Sequence, residues 1–252
     1  MPAPDLVTPL SPLQFIPAWF AAAWDHSAVA AVMLLGLPAA LTAFGLASIL
    51  RSPRLRWEEL ADHQIPKKVA RYAKGVANTF ESSGLIYRGA FHIRRGVVQS
   101  HKMVWSDPAN TLTVEVLKTS GPMGTPKVEI GLSSTLRDGT VCETASIKLD
   151  GQAAKVFAGT EQVGLLTQAI GTDDVQMLFA AHRELLASAQ ESTGSRLLAI
   201  PPSRYELATL HSHVLMEHHL HRRGVLALQP AEDLEAIRGE LLAAAAPLAK
   251  SA

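Results

Sequence analysis

A chain of 252 residues can bury a substantial core, in one large domain or two small ones. Its 23 basic and 23 acidic residues cancel, and the lack of a basic excess argues against nucleic-acid binding. The single cysteine excludes an intramolecular disulfide framework and any zinc or iron–sulfur site that needs several cysteine ligands.

The most apolar part of the chain is segment 27–50, which contains 24 residues and no charge. A helix of that length rises about 36 Å, enough to cross a hydrocarbon core of about 30 Å, so the sequence predicts a single transmembrane helix. The residues before it contain no Lys or Arg, which argues against a cleaved signal peptide. Segment 51–74 contains seven, and the positive-inside rule then predicts an outside N-terminus and a cytoplasmic C-terminal domain at a bacterial inner membrane.

Aromatic and small residues in and around this segment predict contacts with lipid or with a partner. Four aromatic residues lie in the predicted extracytoplasmic segment 1–26, and one follows the span, at positions where aromatic rings favour the headgroup level. Glycines within the span let another helix, a lipid or a pigment approach closely. The predicted partner and membrane contacts are Phe15, Trp19, Phe20, Trp24, Gly36, Gly45 and Trp57.

The rest of the chain predicts an α+β domain. Apolar residues recur at helical spacing after Pro66, and further on the pattern changes to the alternation typical of strands, in five runs separated by turn signals. Five strands with short connections predict an antiparallel meander, packed by about four helices. The predicted boundaries are a basic juxtamembrane linker at 51–65 and a cytoplasmic domain at 66–250, with a helix at 66–83, the sheet at 85–149 and further helices within 160–248.

The stretch HSHVLMEHHLHRRG, residues 211–224, holds five of the ten histidines on one predicted helix. His213, Glu217 and His221 are spaced four residues apart, and imidazole and carboxylate are suitable ligands for zinc or iron. Since the outer two are about 12 Å apart along the helix, at most two adjacent members can share one ion. His182, on the preceding predicted helix, is the best candidate for a further ligand. The alternative interpretation is a polar or packed helix face, or a contact surface whose charge changes with pH.

Sequence motifs for catalysis are missing. The chain has no glycine-rich phosphate loop after a strand and neither a G-x-S-x-G nor an H-E-x-x-H motif, so we expect no catalytic residues, although a site dispersed along the chain would leave no motif. The sequence therefore favours a non-enzymatic accessory or scaffold subunit of a multi-subunit bacterial inner-membrane complex. The alternative is a membrane-tethered metal-binding protein or hydrolase that uses the histidine-rich helix at 203–223.

An outside N-terminus, one span and a cytoplasmic domain with a sheet together form an arrangement similar to that of the H subunit of purple-bacterial photosynthetic reaction centres. This architectural resemblance implies an energy-transducing assembly, photosynthetic or respiratory, whose other integral membrane subunits would be the partners. No cofactor is predicted for the chain itself. Zinc or iron at the histidine-rich helix, and a lipid or pigment at the transmembrane helix, are the alternatives.

Overall fold

The computed structural model describes residues 55–95, 98–120, 127–148, 151–224 and 233–245. These residues form one sheet of seven strands with helices on both faces. The strands are β1 (Arg56–Leu60), β2 (Ile86–Arg95), β3 (Val98–Ser106), β4 (Thr113–Ser120), β5 (Val128–Thr135), β6 (Val141–Ala145) and β7 (Leu165–Ala169). The helices are α1 (Lys67–Ser82), α2 (Gly151–Phe157), α3 (Val175–Thr193), α4 (Tyr205–Arg222) and α5 (Leu234–Ala245).

The strands lie in the sheet in chain order, and the last pair differs from the others. Each strand from β1 to β6 runs antiparallel to its neighbour, whereas β6 and β7 are parallel. A parallel pair needs a long crossover connection, and here it contains α2 and a short 3-10 helix at Thr160–Val163. Gly159 and Gly164 border that 3-10 helix with positive φ angles of 87° and 81°, a conformation that favours glycine.

One face of the sheet packs against α1 and α3. The core on this side includes Phe80 of α1, Trp105 of β3 and Leu178 of α3, all buried. The rings of Phe80 and Trp105 meet edge to face with centroids 5.1 Å apart, a favourable arrangement of two aromatic rings. α1 therefore packs over the middle strands, and α3 packs over β5, β6 and β7.

The opposite face packs against α4 and α5. Successive residues of a strand point to opposite faces, so Val104 lies on the other side of the sheet from Trp105. Val104 packs with Tyr205 of α4 and Leu241 of α5, and Leu215 of α4 packs against the start of β6 and β7. The domain thus has three layers, with α4 held directly on the sheet.

The prediction of a five-stranded antiparallel meander is wrong, because the sheet has seven strands and is mixed. β1 lies within the segment that we interpreted as a linker. It is an edge strand whose residues, except for Trp57 and Leu60, are charged, so it lacks the apolar alternation of a half-buried strand. β7 lies within the region assigned to helices, and its five residues pair with a strand that is about 20 residues away along the chain, which leaves no local signal.

The predicted single transmembrane helix receives no support. Segment 27–50 lies outside the described residues, and none of the helices in the described ranges combines the length and the apolar character that crossing a membrane requires. The longest of them, α3, has 19 residues and includes Arg183 and Glu184. The resemblance to the reaction-centre H subunit depends on that span, so it too lies outside what the structure describes.

Candidate functional site

The histidine-rich stretch forms most of α4, and it contributes to both sides of that helix. His211 and His219 are buried, together with Val214 and Leu215. His213 is exposed, and its Nδ1 donates a hydrogen bond of 2.8 Å to the backbone carbonyl of Thr209, one turn earlier. The helix ends at Arg222, and the chain then turns at Gly224, which has a positive φ of 67°.

The structure does not bring the four predicted metal ligands together. His213, Glu217 and His221 lie on α4, whereas His182 lies on α3 at the opposite face of the sheet. The His182 ring nitrogens Nδ1 and Nε2 lie 3.1 Å from the Thr144 and Ser134 hydroxyls respectively. Within the described ranges, no three His, Cys, Asp or Glu side chains are arranged to hold a metal ion.

His182 instead serves as a buried hydrogen-bonding group of the core. Only 2% of its surface is exposed, and this burial lowers its pKa to about 4, so the ring is neutral at pH 7. A neutral imidazole has one donor and one acceptor nitrogen, and the two hydroxyls can satisfy both.

Of the predicted partner and membrane contacts, only Trp57 lies in the described part of the chain; Phe15, Trp19, Phe20, Trp24, Gly36 and Gly45 lie outside it. Trp57 is in β1 and is partly buried. Its ring centroid lies 4.6 Å from that of Phe91, and the ammonium of Lys102 lies 5.3 Å from it. In this domain, Trp57 therefore covers the sheet face that carries α4 and α5.

A polar seam joins α4 to the middle of the sheet. We define it as Lys102 of β3, Glu115 of β4, Glu143 of β6, and Thr209 and Ser212 of α4. The Lys102 ammonium donates to Glu115 Oε1 at 2.7 Å and to the Thr209 hydroxyl at 3.3 Å. The Ser212 hydroxyl donates to Glu143 Oε1 at 2.5 Å. Both faces of the interface thus contribute polar groups that bond to each other.

Burial governs the charges of this seam. It raises the pKa of Glu143, because the protein interior solvates a carboxylate less well than water does. The hydrogen bond from Ser212 and the charge of Lys102 oppose that rise, while the charge of Glu115 adds to it. Lys102 is only 6% exposed, so its positive charge acts on the neighbouring carboxylates with little screening.

A cavity of about 260 Å³ lies where α4 meets α5 and the β5–β6 turn. We call it the α4 cavity. Its volume is slightly below the range of typical small-molecule sites, about 300 to 1,000 Å³. Its lining residues include two histidines and two arginines, namely His211, His218, Arg222 and Arg238, and the apolar residues Val163, Leu215 and Leu234.

The two histidines of the α4 cavity carry unsatisfied buried nitrogens. Among the described residues, neither Nδ1 of His211 nor Nε2 of His218 has a hydrogen-bond partner. Burial, and secondarily the charge of Arg238, lowers the pKa of His211 to about 4. Burial, followed by the charges of Arg222 and His221, lowers the pKa of His218, although Asp233 opposes this. Neutral imidazoles beside guanidinium groups are suited to binding a polar ligand.

No family model, curated protein or solved structure matches the chain. A fold by itself does not determine a function, which depends on the chemistry of particular sites. Function is therefore inferred from sites within the described domain, among them the polar seam and the α4 cavity.

Sequence reasoning missed most of these residues. In the sequence, His211 and His218 are only two members of the histidine-rich stretch, and Arg238 lies on a separate helix, so no local pattern connects them. Lys102 carries a weak local signal. In the strand sequence HKMVW, residues 101–105, it shares a face with Val104, where the alternating pattern predicts an apolar residue. A charged residue at such a position indicates a buried partner, but the partner itself is visible only in the folded chain.

Proposed function

We propose that the chain is a non-enzymatic accessory subunit of a multi-subunit bacterial inner-membrane complex, with its domain of sheet and helices on the cytoplasmic side. The observation that carries the proposal is in the sequence: the 24 residues at 27–50 contain no charge, and the flanking basic residues are all on the C-terminal side. An apolar segment of this length associates with lipid or with apolar protein surfaces, and the flanking charge favours a cytoplasmic domain.

The chemistry of the described domain supports a role in binding rather than catalysis. Ser212, the hydroxyl residue closest to a carboxylate in the seam, is held by Glu143 beneath α4, between the helix and the sheet. Lys102 is likewise occupied by Glu115 and Thr209. These groups hold α4 on the sheet, as buried ion pairs and hydrogen bonds do in structural interfaces.

The alternative function, a membrane-tethered metal-binding protein or hydrolase, has weaker support. It requires His182 or another residue to join the ligands of α4, and His182 is on the other face of the sheet, bonded to Thr144 and Ser134. For the complex, we propose an energy-transducing assembly, photosynthetic or respiratory, with other integral membrane subunits as partners.

The proposal is tested by isolating the complex from its native membrane. The full chain carries a C-terminal affinity tag and is expressed at its natural level, and the membranes are solubilised in mild detergent. We expect the chain to sediment with the membranes, to migrate as a large complex in native electrophoresis, and to co-purify with other membrane subunits in fixed stoichiometry. Recovery in the soluble fraction, or migration as a lone monomer, would refute the proposal.

A matched pair of variants separates membrane association from general loss of folding. Leu35→Arg with Leu41→Arg places two charges in the uncharged segment, and each arginine costs about 2.5 to 3.5 kcal/mol in hydrocarbon. Leu35→Ile with Leu41→Ile keeps the segment apolar. We expect only the arginine variant to lose co-purification, while both keep the circular dichroism of the folded domain.

A further inference from the structure

The α4 cavity has an arginine and a histidine at each of its two ends. At one end, Arg238 of α5 lies close enough to His211 to influence its pKa, and its side chain packs on the β5–β6 turn. At the other end, Arg222 influences His218 in the same way. His211 and His218 are seven residues apart on α4, so the two ends are separated by about 10 Å along the helix axis.

An apolar cluster lies between these ends. Leu215 lies on α4 between the two histidines, and Val163 and Leu234, which also line the cavity, pack with it. The cavity therefore offers a guanidinium and an imidazole at each end and aliphatic side chains in the middle. A ligand that fits this pattern carries an anionic group at each end of an aliphatic chain.

His211 gives the strongest indication that the cavity takes a ligand. It is only 1% exposed, and its Nδ1 has no hydrogen-bond partner among the described residues. A buried polar atom without a partner destabilises the fold, so an atom of this kind that lines a cavity is suited to bonding with a ligand or a water molecule. A neutral imidazole with Nδ1–H would donate to a carboxylate oxygen.

Two acidic residues, Asp138 and Glu235, also line the cavity, and Asp233 lies near His218; each of the three has a partner within the domain. Asp138 accepts a hydrogen bond of 2.9 Å from the backbone N–H of Thr140. Asp233 accepts hydrogen bonds from the first backbone N–H groups of α5, those of residues 235 and 236. Glu235 lies 3.7 Å from Arg238 with a side chain that is 77% exposed, and an ion pair of that kind is weak.

We propose that the α4 cavity binds an aliphatic dicarboxylate, with Arg238 and His211 holding one carboxylate and Arg222 and His218 the other. The inference stands independently of the proposed membrane complex, because all of its residues belong to the described domain. Guanidinium groups are suited to carboxylates, since their N–H groups match the two oxygens in a bidentate arrangement.

The experiment is isothermal titration calorimetry of the purified full chain in mild detergent. The probes are suberate, whose carboxylates are far enough apart to reach both ends, succinate, whose carboxylates are not, and octanoate, which has the same chain length and one carboxylate. Inorganic phosphate tests for simple anion binding. We expect one suberate to bind per chain. The other three probes should bind at least about tenfold more weakly than suberate, because each can reach only one arginine–histidine end.

Two substitutions connect the binding to the cavity. Arg238→Gln and Arg222→Gln each remove one guanidinium, and we expect each to weaken suberate binding about tenfold, whereas Arg183→Gln, on an exposed position of α3, leaves it unchanged. Because Arg222 is exposed, its variant is expected to fold even if the Arg238 variant does not. The proposal is overturned if suberate releases no heat, if phosphate or succinate binds as tightly, or if the folded Arg222 variant binds suberate normally.

Discussion

Replacing Lys102 by methionine is expected to destabilise the domain strongly, although methionine keeps most of the apolar stem and is only one atom shorter. Lys102 is 6% exposed and bonded to Glu115 at 2.7 Å, and it also reduces the cost of burying Glu143. The substitution would leave carboxylates in the polar seam without their cation. Such a loss costs about 3 to 5 kcal/mol, because a buried charge remains uncompensated.

The double variant provides the internal check on this magnitude. Lys102→Met combined with Glu115→Leu removes both charges of the pair, and replacing a buried ion pair by apolar residues is often neutral or stabilising. We therefore expect the double variant to be more stable than Lys102→Met alone, with a coupling free energy of about 2 kcal/mol or more between the two positions.

The assay is thermal and urea unfolding of the full chain, followed by tryptophan fluorescence. A loss of about 3 kcal/mol corresponds to a fall in Tm of roughly 6 to 12 °C for a domain of this size. Lys74→Met, on an exposed position of α1, is the matched control and is expected to change the free energy of unfolding by about 0.5 kcal/mol or less. A Lys102→Met effect as small as that of Lys74→Met would refute the assignment of Lys102 as a buried structural cation.

The pH dependence of the Lys102→Met variant has a definite sign. Burial raises the folded-state pKa of Glu143 above its ordinary value of 4.5, so the folded protein holds a proton on this carboxyl more tightly than the unfolded chain does. Lowering the pH from neutral through the raised pKa toward 4.5 neutralises the carboxylate and relieves its burial cost. The deficit of Lys102→Met relative to the natural chain should therefore shrink over this window, and a deficit that grows with acid would contradict the mechanism.

Three further predictions concern single side chains. His182 has a folded-state pKa of about 4 against an ordinary 6.5, so the protein loses about 3 kcal/mol of stability as the pH falls from 6.5 through 4. In urea titrations at several pH values, the free energy of unfolding should depend less on pH for His182→Gln. Gly139→Ala should cost about 1 to 3 kcal/mol in urea unfolding, because Gly139 has a φ of +87° and a Cβ there would lie 2.6 Å from Arg238 Nε. Phe80→Ala should cost about 3 to 5 kcal/mol, since Phe80 is fully buried against Trp105, and the shift of the urea midpoint measures it.

The parts of the fold that the sequence predicts are those with strong local patterns. β5 alternates between more and less buried positions along Val128–Thr135, and the turn after it contains Asp138 and Gly139, the residue pair that favours tight hairpins. β1 and β7 lack such patterns. β1 has charged residues on an edge of the sheet, and β7 joins β6 only after a crossover of about 20 residues, so each depends on contacts that are distant in sequence.

The candidate site was harder to predict, because its members come from separate elements. The stretch 211–224 is rich in histidine, and its imidazole and carboxylate groups predict a metal site. In the folded chain the histidines divide: His211 and His219 face inward, and His213 is exposed. The partners that give the inward side its chemistry, Lys102 and Arg238, lie on a strand and on another helix, and no spacing rule connects them to α4.

The polar seam also explains why α4 has a single position on the sheet. Apolar contacts tolerate sliding, since one aliphatic side chain can replace another in a groove. Moving α4 by one turn, about 5.4 Å, would separate Ser212 from Glu143 and Thr209 from Lys102 at the same time, so that Glu143 and Lys102 would each lose a hydrogen bond. The seam therefore fixes the register of α4, and with it the placement of His211 in the α4 cavity beside Arg238.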